Sequence, residues 1–148
     1  MGLICSHNAF KGGYSDFNRL RQAVCRTLDG SYPPHYKYQE DGQILKKFGV
    51  VMFDETKDIN RFYLPDKISK DLYPGLWEFL THVDYKGSIS PSMCKKVAND
   101  LEKLALPTIE KYDILISDEI KWSCKNMLSN FINGCREAHK QRRSLLFR

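Results

Sequence analysis

No stretch of this chain approaches the ~20 consecutive apolar residues that span a bilayer, and no signal-peptide core follows its first residues. A membrane-spanning protein and a conventionally secreted one are therefore not expected. The chain also lacks any C-x-x-C spacing: Cys5, Cys25, Cys94, Cys124 and Cys135 are scattered and odd in number. Both a zinc site and a disulfide framework need closer or paired cysteines, so neither metal nor cofactor is expected, and a reducing cytoplasm is the simplest setting. Internal repeats and low-complexity tracts are absent too. The charge excess is small: 23 basic against 18 acidic residues leave +5. That inclines the protein towards anionic partners without amounting to a nucleic-acid signature.

What is present is an ordinary globular composition, 42% hydrophobic and 28% charged over 148 residues. A chain of that length buries roughly two-thirds of its unfolded surface, and residues 1–148 are expected to form a single domain. Ser15 is placed to cap a helix from Asp16 to Leu28, in which Phe17, Leu20, Val24 and Leu28 recur at helical spacing. Gly30 supplies its stop, and Arg19, Arg21 and Arg26 turn away from the apolar stripe. "SYPPHYKYQEDG" reads as an extended connection because two prolines forbid helix. "GVVMFD" carries strand propensity, and the stretch up to Pro74 reads as loop.

Leu76, Trp77, Phe79 and Leu80 mark a short buried helix, and "HVDYKG" a turn. Ser90 followed by Pro91 is a cap and first-turn proline, starting a helix to about Ala105 with Val97, Ala98, Leu101 and Leu104 inward. "DILIS" is a brief apolar link. Ser117 is expected to cap the longest helix, with Asp118 and Glu119 favourable to its dipole and Ile120, Cys124, Leu128, Phe131, Cys135 and Ala138 inward. "SLLFR" forms a last strand. The sum is a helix-dominated α+β domain with a small, minor β-sheet.

Three motifs invite chemistry. "HVDYKGSISPSM" has the outline of a calcium loop, but with Gly87 at its sixth position only Asp84 supplies a carboxylate, Lys86 occupies a ligand place, and Met93 replaces the bidentate glutamate. Hard oxygen ligands are missing, so a helix–turn–helix corner is expected instead, with Gly87 at positive φ and Ile89 inward. "MGLICSH" admits three readings. Gly2 and Ser6 fit an N-acylation signal with Cys5 as a second site. Cys5 and His7 lie two apart on a strand, where thiol and imidazole approach as nucleophile and base. Or the segment is an apolar strand entering a polar loop. The third motif, "CSHNAFKGGYSDFNRLRQ", combines Gly12 and Gly13 at a helix start with arginines suited to an anion. The basic C-terminal run, Arg136 to Arg148, reads as a solvated helix end.

The blocks "CSHNAFKGGYSDFNRLR", "HVDYKGSISPSMCKKVANDLE" and "FINGCREAH" together resemble a family of short, uncharacterised bacteriophage and bacterial proteins, over a quarter to a third of the chain. Cys5, Ser6, His7, Tyr14, Asn18, Arg19, His82, Asp84 and Gly87 match its pattern. The family's later turn reads H-S-D-C-D-G, and here Tyr85 and Lys86 replace a cysteine and an aspartate, removing part of any metal or carboxylate capacity there. The resemblance implies a prokaryotic or viral cytoplasm and no reaction, and it disfavours the eukaryotic acylation.

The expected function is non-enzymatic binding of a small anionic, nucleotide-like ligand, for a phage protein a host signalling nucleotide. Its site would comprise Ser6, His7, Gly12, Gly13, Tyr14, Asn18, Arg19, Arg21, His82 and Asp84. The arginines would pair with charge, the glycine loop offer amides, and Tyr14 a stacking face. The alternatives are a small enzyme built on Cys5, His7, His82 and Asp84, and inhibition of a host protein through the tyrosines of "SYPPHYKY" and the basic tail.

Overall fold

The computed structural model describes residues 2–34, 52–115 and 121–148. Among these residues four α-helices surround short antiparallel strands, the helix-dominated α+β domain expected. Residues 2–13 form a hairpin of β1 (Gly2–Cys5) and β2 (Phe10–Gly13), in the register Leu3↔Gly12 and Cys5↔Phe10. Helix α1 (Tyr14–Thr27) follows directly. The cap is Gly13 rather than Ser15, because the Asp16 carboxylate reaches back to accept from Gly13 N–H at 3.2 Å and leaves Ser15 nothing to satisfy.

Helix α1 ends at a residue other than the expected one. Asp29 takes the left-handed conformation (φ 60°), and Gly30 N–H reaches Cys25 O at 2.8 Å to close the end. Gly30 is required for a different reason: a Cβ there would lie 2.2 Å from Tyr63 O, where Ser31 and Tyr63 pair in an isolated bridge. Of the extended connection only residues 31–34 are described; Tyr36, Tyr38 and the "GVV" of the expected strand lie outside the described residues. Met52 is buried, but residues 52–54 form no strand.

Helix α2 (Pro74–Thr81) leads through the "HVDYKG" turn into β3 (Ser88–Ile89) and α3 (Pro91–Leu104). As expected, Gly87 has φ 89°, Ile89 is buried, and Ser90 Oγ accepts from Met93 N–H. A Cβ on Gly75 would sit 2.2 Å from Lys96 carbonyl atoms, so that glycine lets α2 lie directly on α3. A 3-10 turn (Ile109–Tyr112) precedes β4 (Ile114–Leu115), which pairs with β5 (Lys121–Trp122). The longest helix, α4 (Cys124–Gln141), therefore begins later than expected. Ser123 is its cap, accepting from Asn126 N–H, while Ser117, Asp118, Glu119 and Ile120 lie outside the described residues. Cys124, Leu128, Phe131, Cys135 and Ala138 face inward as their spacing requires.

The chain finishes in β6 (Leu145–Leu146), paired with β3. A bridge between Cys5 and Phe147 and reciprocal bonds between Ile4 and Arg148 (2.9 and 3.0 Å) lay this last segment alongside β1 as well. The order across the surface is thus β2, β1, β6, β3, with one face on the helices. Phenylalanines join the layers: the Phe17 ring of α1 meets Phe10 of β2 at 4.9 Å, Phe79 of α2 at 5.6 Å, Phe131 of α4 at 5.8 Å and Phe147 at 6.1 Å. No helix among the described residues is long and apolar enough to cross a membrane.

Candidate functional site

The N-terminal block and the "HVDYKG" turn do meet, and Arg21 joins them. Its side chain points inward, contrary to the helical-wheel expectation, and only 5% of the residue is exposed. Nε donates to Phe79 O at 2.9 Å and Nη2 donates to His82 O. The guanidinium lies 4.5 Å from the centre of the Phe17 ring, with Tyr32 and Phe79 slightly farther. Phe79 O belongs to the last turn of α2 and His82 O to its C-cap, positions with no partner inside the helix, so Arg21 is that helix's C-terminal cap from another part of the chain. Burial lowers its pKa, which Tyr32 and the Asp84 charge oppose, so the cation is retained where a lysine would be exposed to deprotonation. Burial likewise raises Tyr32, whose hydroxyl donates to Leu80 O at 3.0 Å.

Two more of the expected ligand residues are used the same way. Asn18 is buried; its amide donates to Pro33 O at 3.0 Å and its oxygen accepts from Gln22, fixing the "SYPP" segment to α1. The His82 ring stacks on Phe147 at 4.1 Å, and its two nitrogens face Val83 O at 2.6 Å and Ser88 O at 3.2 Å. These contacts shape the turn and leave the ring no free nitrogen. Asp84 is half-buried beside Arg21. Gly12 and Gly13 belong to β2 and offer no anion cradle, since Gly13 N–H is taken by Asp16. Tyr14 packs half-buried against the core. Arg19 pairs with Asp16 at 3.5 Å and lies over the Trp122 ring at 5.6 Å, a partner that no sequence spacing indicates.

The tip of the hairpin behaves differently. His7 and Asn8 both have left-handed backbones (φ 59° and 55°), and Ala9 N–H closes the turn on Ser6 O at 3.1 Å. Such consecutive positive φ values are what a two-residue hairpin turn needs to match the strand twist. They also break the strand alternation on which a Cys5–His7 pair depended. Cys5 turns into the core, 3% exposed, and burial pushes its thiol up to about 12. A protonated thiol is a poor nucleophile, so the catalytic reading of Cys5 is not carried by the geometry. His7 meets Ser6 instead, Oγ to Nδ1 at 2.9 Å, and reaches Gln141 Oε1 with Nε2 at 3.2 Å. Gly134 makes this docking of hairpin on α4 feasible, because a Cβ there would fall 2.4 Å from the Ala9 Cβ.

Outside this tip the sheet turns a basic face away from the helices. Ile4, 52% exposed, stands between Lys11 of β2 and Arg148, its partners on either side. Phe147 N–H donates to Gly87 O, which ties the exposed turn carrying Lys86 to the segment that ends in Arg148. None of Lys11, Lys86 and Arg148 has an ion-pair partner among the described residues. Ser6 and the exposed Leu146 occupy the adjacent row.

A separate cleft of about 340 Å³ opens at the far end of α1, lined by Thr27, Leu28, Asp29, Lys67, Ile68, Tyr73 and Leu104. It includes none of the residues the sequence singled out. No group of three or more metal-ligating side chains gathers among the described residues. Compared with protein-family models, curated proteins and solved structures, the chain matches none of them.

Proposed function

We propose that this chain is a binding protein for an anionic ligand, which it reads on the outer face of its sheet. The observation that carries the proposal is the row Lys11, Ile4 and Arg148 with Lys86 in the adjoining turn, three cations without ion-pair partners among the described residues near one exposed apolar side chain. Backbone pairing fixes the points from which Lys11 and Arg148 reach out, and the adjoining turn adds Lys86, so the fold meets part of the cost of gathering cations around an anion. Arg21, Asn18 and His82, to which sequence reasoning gave this role, instead hold the fold beneath it.

A nucleotide-like ligand fits within the same proposal. Tyr85 is exposed and lies 5.5 Å from the Lys86 ammonium, supplying the stacking face first sought at Tyr14. The phage setting and a host nucleotide as cargo belong to this proposal through the sequence resemblance.

The test is titration of the purified protein with nucleoside mono-, di- and triphosphates and with inorganic phosphate, at low and high salt. Binding that weakens with salt, and that falls about tenfold in Lys11→Glu and in Lys86→Glu, supports the reading. Affinities untouched by either charge reversal would sink it, as would failure of every one of these anions to bind.

A further inference from the structure

The hairpin tip contains a chain of hydrogen bonds that binding does not use. Glu137 Oε1 accepts from Gln141 Nε2 at 2.8 Å. A carboxylate only accepts, so this contact fixes which end of the Gln141 amide faces His7: the oxygen, 3.2 Å from Nε2. An amide oxygen also only accepts, so Nε2 of His7 carries the ring proton and Nδ1 presents a lone pair. The one hydroxyl facing that lone pair is Ser6, at 2.9 Å, and it must donate. Leu146 N–H donates to the same Oγ at 2.8 Å, a contact that strengthens as negative charge grows on the oxygen. Hydroxyl, imidazole and carboxamide thus follow one another in the order of a nucleophile, its base and the group that orients the base.

The turn itself is not built from the residues that suit it best. Asn-Gly satisfies two left-handed positions at least cost, yet His7 occupies the first of them at φ 59°. Holding a histidine there aims its ring back along β1 at Ser6 and across at α4. Ser6 itself is half-buried, on the outward face that also carries Ile4 and Leu146.

We propose that Ser6 is a nucleophile activated by His7 and positioned by Gln141, and that the hairpin tip catalyses hydrolysis of esters. In the first half-reaction Ser6 Oγ bonds to the carbonyl carbon while its proton passes to His7 Nδ1. The ester C–O bond breaks, and the imidazolium returns that proton to the departing alkoxide. In the second, water gives a proton to Nδ1 as its oxygen bonds to the acyl carbon; the bond to Oγ breaks and the proton restores the hydroxyl. Ester and water give acid and alcohol. Ile4 and Leu146 lie on the face an acyl chain would cover, and the nearby cations select an ester that also carries negative charge. That substrate preference rests on the anion-binding reading, whereas the reactivity of Ser6 does not.

A fluorophosphonate probe followed by peptide mass spectrometry tests the nucleophile. One adduct is expected, on Ser6, absent in Ser6→Ala and formed about a hundredfold more slowly in His7→Asn. Asparagine suits the left-handed turn, so that variant keeps the hairpin. Gln141→Ala should slow labelling with an unchanged melting temperature. No adduct on Ser6, or one formed equally fast in His7→Asn, overturns the proposal. Substrate class is read with two chromogenic esters, 4-nitrophenyl hydrogen succinate and 4-nitrophenyl butyrate. Preference for the charged ester, lost in Lys11→Glu, is expected; equal rates with Ser6 still labelled overturn the substrate class and count against the anion-binding face, leaving the nucleophile standing.

Discussion

Arg21 and Lys11 come from the same N-terminal block and end on opposite sides of the sheet. Arg21 lies among aromatic rings with donors spent on the carbonyls of Phe79 and His82. Lys11 stands in solvent on the outer row with no ion-pair partner among the described residues. A basic residue inside holds elements together, because its donors replace water at carbonyls that would otherwise be buried unpaired. The same charge outside contributes little to stability and is free to meet a partner.

The contrast can be broken most forcefully at its buried side. Arg21→Met keeps much of the side-chain volume but strands two carbonyls, and should cost about 3 kcal/mol in chemical unfolding. A melting temperature lower by about 10 °C, with anion binding at the outer face retained below it, is the expected pattern. Parallel loss of affinity at temperatures where the variant is folded would show that the two sides are not separate.

A second effect comes from the core thiols. Burial raises the thiols of Cys5, Cys25 and Cys124 above their ordinary value. With folded values above unfolded ones, the unfolded chain releases protons first. Their contribution is fully present below pH 9 and is lost as pH climbs from there towards the folded value, about 12 for Cys5. Each such thiol removes up to about 1.4 kcal/mol per pH unit over that window. Unfolding curves at pH 8 and 10 check the sign; greater stability at pH 10 would contradict this placement of the thiols.

The smallest effect belongs to the outside. Lys11→Glu should change stability by less than about 0.5 kcal/mol, while altering anion affinity and its salt dependence. A large loss of stability would mean that Lys11 supports the fold after all.

Much of the frame was legible because it depends on near neighbours. The inward faces of α3 and α4 follow from helical period, and the Ser90–Pro91 start from backbone groups three residues away. Local rules misled where a distant segment competed. Pairing of Ile114–Leu115 with Lys121–Trp122 moved the cap of α4 to Ser123. The left-handed turn at His7 and Asn8 exchanged Cys5 for Ser6 as the partner of the imidazole.

By itself the sequence determined that the described fold would be helix-dominated with a small sheet, and that α3 and α4 would bury the faces carrying Val97, Ala98 and Leu101 and carrying Cys124, Leu128, Phe131, Cys135 and Ala138. Only the tertiary structure decided which polar residues are consumed. A charged side chain about two turns into an amphipathic helix reads as solvated until the carbonyls of another helix, 58 residues on, are brought against it. That choice depends on long-range hydrogen bonding in a low-dielectric interior, which residue spacing does not encode.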